Sequence, residues 1–157
     1  MKPFAILFVW ALTALVMSMA SPVSWPTVPK PEPFKSAAES WTLLSDAVTA
    51  TVYNAVPAQC NDDPLHTASM YTIVPERIVE DRILAMERTM MAEYGIAYGD
   101  TVLVAGTGRY DGLWQVQDTM NKRFAGQKKI DFLVPNNIRH GKWKNVKVYA
   151  RGAHQKI

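Results

Sequence analysis

The chain has 157 residues, 48% of them hydrophobic and 20% charged, with a formal net charge of +3. That length and balance suit one globular domain plus targeting material and exclude wholesale disorder. A single cysteine, Cys60, excludes an internal disulfide and any cysteine-rich metal site, and leaves a small residue suited to burial.

Residues 1–20 read as a secretory signal: Lys2 is followed by an apolar run from Phe4 to Val16, and Ser18, Met19 and Ala20 offer a cleavage site. Export to the periplasm or cell envelope follows, with the outer membrane as one address. The competing reading is a retained anchor, the chain's one expected route to a membrane. Residues 21–35 carry Pro22, Pro26, Pro29, Pro31 and Pro33, a density that favours an extended tether. Ser36 and Glu39 have capping-box spacing, and Trp41, Leu44 and Val48 recur at helical intervals, so a short helix is expected over 36–47.

From residue 48 the pattern changes to short β-like runs at 48–53, 83–86, 101–105, 113–117, 130–134 and 146–150, most of them separated by turn formers such as Gly99-Asp100 and Asp111-Gly112. Six short strands in about a hundred residues suggest a small, mainly β barrel, with one helical interruption at 88–94 where Met90, Met91 and Tyr94 share a face. Residues 151–157 form a basic tail. Between Lys122 and Ile157 there are ten Lys or Arg and a single acid, Asp131, so this half faces an anionic partner or solvent. No helix-turn-helix, RNA-recognition or zinc-finger pattern is present, and nucleic acid is not an expected partner.

Two aspartates carry the chemical signal. Strict alternation along 113–118 sets Trp114, Val116 and Asp118 on one face, an aromatic platform ending in an acid. Asp131 interrupts the apolar stretch Ile130 to Val134, where desolvation raises its pKa and favours the protonated form of a general acid; pairing with Lys129 or Arg123 is the structural alternative. The long polar loop from Tyr53 to Ser69 either lines a site or closes a barrel end. His66 is a metal ligand or acid/base only if other ligands join it, and no recognised spacing supplies them, so no metal is expected.

Taken in order, the tyrosine strand 49–53, the loop Gln59-Cys60-Asn61-Asp62-Asp63-Pro64-Leu65-His66-Thr67-Ala68-Ser69, the glycine turn 106–112, the segment 118–124, Lys129-Ile130-Asp131 and the closing strand 146–149 resemble the three-aspartate (3D) domain. This is a branch of the rare-lipoprotein-A-like double-psi β-barrel superfamily that includes membrane-bound lytic transglycosylases. The resemblance covers 48–150 and implies a six-stranded double-psi barrel that cleaves the glycan strands of peptidoglycan without adding water and without a cofactor or metal. It implies that Asp131 is the acid/base and that Asp118, followed by Thr119, tunes it or stabilises a cation. The family's first aspartate falls at Glu87, within Ala85-Met86-Glu87-Arg88, with Asp100 as an alternative that suits a turn better. Trp114, Tyr53, Asp63, Thr67, Asn121, Lys122 and Arg123 become substrate-binding candidates. Residues 120–124 stand where the family has a glycine-rich loop, and their bulk is expected to narrow the cleft or change which glycan fits. A non-catalytic peptidoglycan-binding module on the same barrel is the main alternative, and an anchored envelope-remodelling factor a third. The oligomeric state is not encoded in any of these features.

Overall fold

Alternating apolar residues in six runs need a surface to bury against, and in this chain the sheet buries them against itself. The computed structural model describes residues 40–60 and 63–151. The expected signal, the tether and most of the basic tail lie outside the described residues. Strands β1 (Trp41–Tyr53), β2 (Ile83–Met86), β3 (Thr101–Ala105), β4 (Gly112–Thr119), β5 (Lys129–Leu133) and β6 (Lys142–Arg151) close into a barrel in the order β1-β5-β2-β4-β3-β6. β1 runs parallel to β5 and β2 parallel to β4, while the remaining neighbours are antiparallel. Two short helices, α1 (Ile78–Asp81) and α2 (Arg88–Tyr94), lie between the strands. No helix among the described residues is long and apolar enough to cross a membrane.

The inward residues fill the interior: Val48 and Ala50 from β1, Leu84 and Met86 from β2, Val102 and Val104 from β3, Trp114 and Val116 from β4, Ile130 and Phe132 from β5, and Val146, Val148 and Ala150 from β6. Met90 of α2 is buried in the same cluster, with Met91 and Tyr94 packed against it, as the shared apolar face requires. A second, smaller cluster lies on the outer face, where Tyr53, Ile83, Ala85 and Leu133 meet Ile73 and Ile78 from the segment between β1 and β2. β2 is therefore buried on both sides, which explains why Ile83-Leu84-Ala85-Met86 carries no polar residue at all.

β2, β3 and α2 have the bounds that their patterns give, and β4, β5 and β6 differ by one to four residues at an end; Arg151, assigned to the tail, closes β6. The expected helix over 36–47 is not formed in its described part. Residues 41–47 belong to β1 and pair with β6, Trp41 with Arg151 and Thr42 with Ala150. The register shifts between Leu43 and Ser45, between Ser45 and Val48, and again before Ala50. The first two set an extra residue of β1 against β6, so the buried positions Ser45 and Val48 fall three apart rather than two; at the third the extra residue lies on β6. That spacing imitates an amphipathic helix. The pairing with β6, whose partners such as Trp41 and Arg151 lie far apart in sequence, decides between them.

Candidate active site

The outer face of β1, β5, β2 and β4 is where both aspartates emerge. Asp131 on β5 pairs with Thr51 on β1 on one side and with Ala85 on β2 on the other. Ala85 in turn pairs with Asp118 on β4. Two strand spacings set the aspartate Cα atoms roughly 10 Å apart, with only a methyl group between them.

Asp118 reaches this face through a bulge. Between Val116 and Asp118, β4 advances two residues while β2 advances one, from Leu84 to Ala85. The inside-outside alternation reverses at Gln117, so Asp118 does not share a face with Trp114 and Val116 as strict alternation requires. Trp114 is correspondingly not a platform: it is 1% exposed and packs inside the barrel, 4.5 Å from Phe132 between ring centroids. Its indole N–H donates to the Tyr110 carbonyl at 2.7 Å.

The loop following β1 roofs the outer face. Asn54, fully within the structure, turns its Nδ2 toward the carbonyls of Val134, Pro135 and Ile138 at 3.1, 3.0 and 2.9 Å and thereby ties the start of the loop to the end of β5. Gln59 completes the tie by accepting from the Asn54 backbone N–H at 3.0 Å. At the far end, Ser69 donates to Gln117 Oε1 at 2.6 Å, and its own N–H meets the Gln117 carbonyl at 3.1 Å. The cleft has a volume of about 660 Å³ and is lined by Tyr53, Asp118 and Asp131, by loop residues such as Gln59, Cys60 and His66, and by Arg88, Arg123, Phe124 and Lys129.

The two carboxyls have different surroundings. Asp118 accepts three hydrogen bonds: from the Tyr53 hydroxyl at 3.1 Å, the Ala68 N–H at 3.0 Å and the Thr119 N–H at 2.8 Å. Every partner is a donor, the arrangement a carboxylate accepts. Asp131 has one hydrogen-bond donor, the Thr51 hydroxyl, on Oδ1. Burial raises the Asp131 pKa above its ordinary 3.8, the charge of Asp118 adds to the rise, and Thr51 and the Lys129 ammonium oppose it without cancelling it. Burial also pushes the Tyr53 phenol well above its usual range, with the Asp118 charge next in size, so Tyr53 stays a neutral donor. One acid biased toward protonation beside one fixed acceptor is the pairing that acid-base chemistry uses.

The other sequence candidates divide. Tyr53, Asn121 and Arg123 line the cleft, and Asn121 also caps the short turn Lys122–Phe124 by accepting from the Arg123 N–H at 3.0 Å. Lys122 is exposed and outside the cleft lining. Asp63 is exposed and holds His66, Oδ2 to Nδ1 at 2.7 Å, so it orients a cleft residue without lining the cleft. Thr67 is buried and accepts from the Tyr71 N–H at 3.1 Å, a turn-forming role. Glu87 is no third acid: it is 2% exposed and caps α2, its two oxygens accepting from the N–H groups of Thr89 at 2.7 Å and Met90 at 2.9 Å. Burial works to raise its pKa, but these backbone bonds prevail and hold it below the ordinary 4.5. Asp100 likewise caps a turn, accepting from the Ala97 N–H at 2.8 Å.

Sequence reasoning overlooked Thr51, Arg88 and Phe124. Thr51 was accessible in principle, since it alternates with Tyr53 on β1; the parallel pairing that brings it to Asp131 has no local signal. Among the described residues no group of three His, Cys, Asp or Glu side chains is placed to share a metal ion.

Fold and site together define a small closed β-barrel with a roofed, two-carboxyl cleft on its outer face. Compared with known proteins, the chain matches no family model and no curated protein.

Proposed function

We propose that this chain is an exported peptidoglycan-cleaving enzyme of the lytic transglycosylase type, built on a double-psi form of the six-stranded barrel. The observation that carries the reading is the convergence of Asp131 and Asp118 in one cleft, with Asp131 biased toward its protonated form. The two parallel pairs, β1 with β5 and β2 with β4, support the double-psi assignment.

In the reaction, the Asp131 carboxyl gives its proton to the glycosidic oxygen, the C1–O bond breaks, and the leaving sugar departs as an alcohol. Positive charge develops at C1 and the ring oxygen, where Asp118 stabilises it. The Asp131 carboxylate then takes the proton from the muramic acid 6-hydroxyl as that oxygen bonds to C1, closing an anhydro ring. The acid is regenerated and no water is consumed, so neither metal nor cofactor enters. A positioned general acid contributes about 10²- to 10⁴-fold to such a step.

A glycan-binding module without turnover is the second reading, favoured by the withdrawal of Glu87 into the α2 cap. Digestion of purified sacculi, followed by mass spectrometry for anhydro-muropeptides, separates the two. Release of these products by the native chain, lost by at least about 100-fold in Asp131→Asn, is the expected result. Sacculus binding without products, unchanged in Asp131→Asn, makes the chain a binder.

A further inference from the structure

We propose that Arg88, Arg123 and Lys129 form a carboxylate-binding subsite beside the two acids, so that the cleft selects a glycan strand carrying carboxylates on the peptide stem next to the broken bond. The inference rests on the glycan-cleaving reading above and adds the feature by which the substrate is chosen.

Three cations from three separate elements line the cleft: Arg88 at the start of α2, Arg123 in the turn Lys122–Phe124, and Lys129 at the start of β5. Phe124 organises two of them. The Lys129 ammonium lies 3.9 Å from its ring centroid and the Arg123 guanidinium carbon 4.8 Å. An aromatic face attracts a cation and fixes its place without neutralising it, so both retain their charge for a ligand. Among the described residues, the ion pairs are His66 with Asp63 and Arg77 with Asp81, and none of the three cleft cations takes part.

The charge balance points the same way. Asp118 is already wrapped by three donors and Asp131 accepts from Thr51, and neither carboxyl forms an ion pair with the three cations. A ligand anion supplies the missing partner. Lys129 and Asp131 are two residues apart on the same face of β5, which sets their Cα atoms roughly 7 Å apart. A bond held over Asp131 therefore has its neighbouring substituents within reach of Lys129 and Arg123, and a neutral glycan leaves the cations without a partner.

The test measures binding by the purified chain carrying Asp131→Asn, which blocks turnover, to soluble glycan strands with peptide stems, before and after carbodiimide amidation of their carboxyls. A neutral N-acetylglucosamine hexamer serves as the uncharged reference. The native strands are expected to bind about tenfold or more tightly than the amidated ones, with the hexamer matching the amidated strands. Adding Arg123→Gln and Lys129→Gln is expected to erase that difference. Equal affinity for native and amidated strands, while the wild-type chain still releases anhydro products, overturns the subsite and leaves the glycan-cleaving reading intact. A preference that persists in the double variant overturns its assignment to these residues. Failure to bind any of the three glycans, with no products from sacculi, overturns both.

Discussion

Asp131 and Asp118 project from one outer face of the barrel on strands two apart, and Ala85, paired with both, stands between them. The smallness of that residue is what makes the two carboxyls members of a single cleft. β2 is otherwise Ile83, Leu84 and Met86, large residues that fill the space on their own sides. A larger side chain at 85 overpacks a position that is 4% exposed and intrudes between the acids.

Ala85→Leu is therefore expected to cost about 1–3 kcal/mol of stability by overpacking. Its larger effect falls on the cleft, with product release from sacculi reduced well beyond what the folded fraction explains. Denaturant unfolding and turnover measured on one preparation check this, and a variant that unfolds more readily yet turns over normally contradicts it.

Thr51 donates to the carboxyl that carries the proton in the proposed reaction. Its bond occupies Oδ1, so the acidic hydrogen belongs on Oδ2. Because this bond favours the charged form of Asp131, removing it raises the pKa further. Thr51→Val is expected to shift the descent of activity on the alkaline side to higher pH, at a stability cost of about 1 kcal/mol. A pH–rate profile that moves toward acid, or stays in place, contradicts the assignment.

Glu87 shows that an acid in a familiar sequence position can serve the backbone instead. Its replacement by Ala is expected to lower stability by about 0.5–2 kcal/mol, the range for losing a helix cap. Since its folded pKa lies below 4.5, the stabilisation is present above the unfolded value and is lost as pH falls through the folded one. The gap between wild type and Glu87→Gln, whose amide stays neutral, is thus expected to narrow on acidification below about pH 4.5, as measured by thermal unfolding at several pH values.

Local pattern was enough where an unbulged run had marked ends: β3 between Gly99-Asp100 and Gly106, β2 between the charged pairs Asp81-Arg82 and Glu87-Arg88, and α2 by its apolar face; Asp118 was legible as an acid ending an apolar-alternating run and Asp131 as one interrupting an apolar strand. Bulges defeated the same reasoning twice. In β1 they turned strand spacing into an imitation of a helix, and in β4 the one at Gln117 put Asp118 on the side away from Trp114. The cap at Glu87 was hidden because glutamate is an uncommon residue at a helix start, where Ser, Thr, Asp and Asn lead. Thr51 and Lys129 reached the cleft through pairings between β1, β5 and β2, whose partners are separated by up to eighty residues.

Trp114 provides a check on the division between core and cleft. With its ring among Phe132 and Tyr110, Trp114→Ala is expected to cost about 3–5 kcal/mol. Glycan affinity in the fraction that remains folded is expected to be unchanged, because the indole lines no part of the cleft. Loss of affinity without loss of stability, read from binding and urea unfolding together, places the ring at the ligand after all.

The most direct measurement is an NMR titration of the Asp131 side-chain carboxyl, observed through carbon-13 and assigned with Asp131→Asn. Burial in the cleft beside Asp118 requires a midpoint above the ordinary 3.8. A midpoint at or below that value contradicts the central claim, because Asp131 then holds no proton to give at the pH of the reaction.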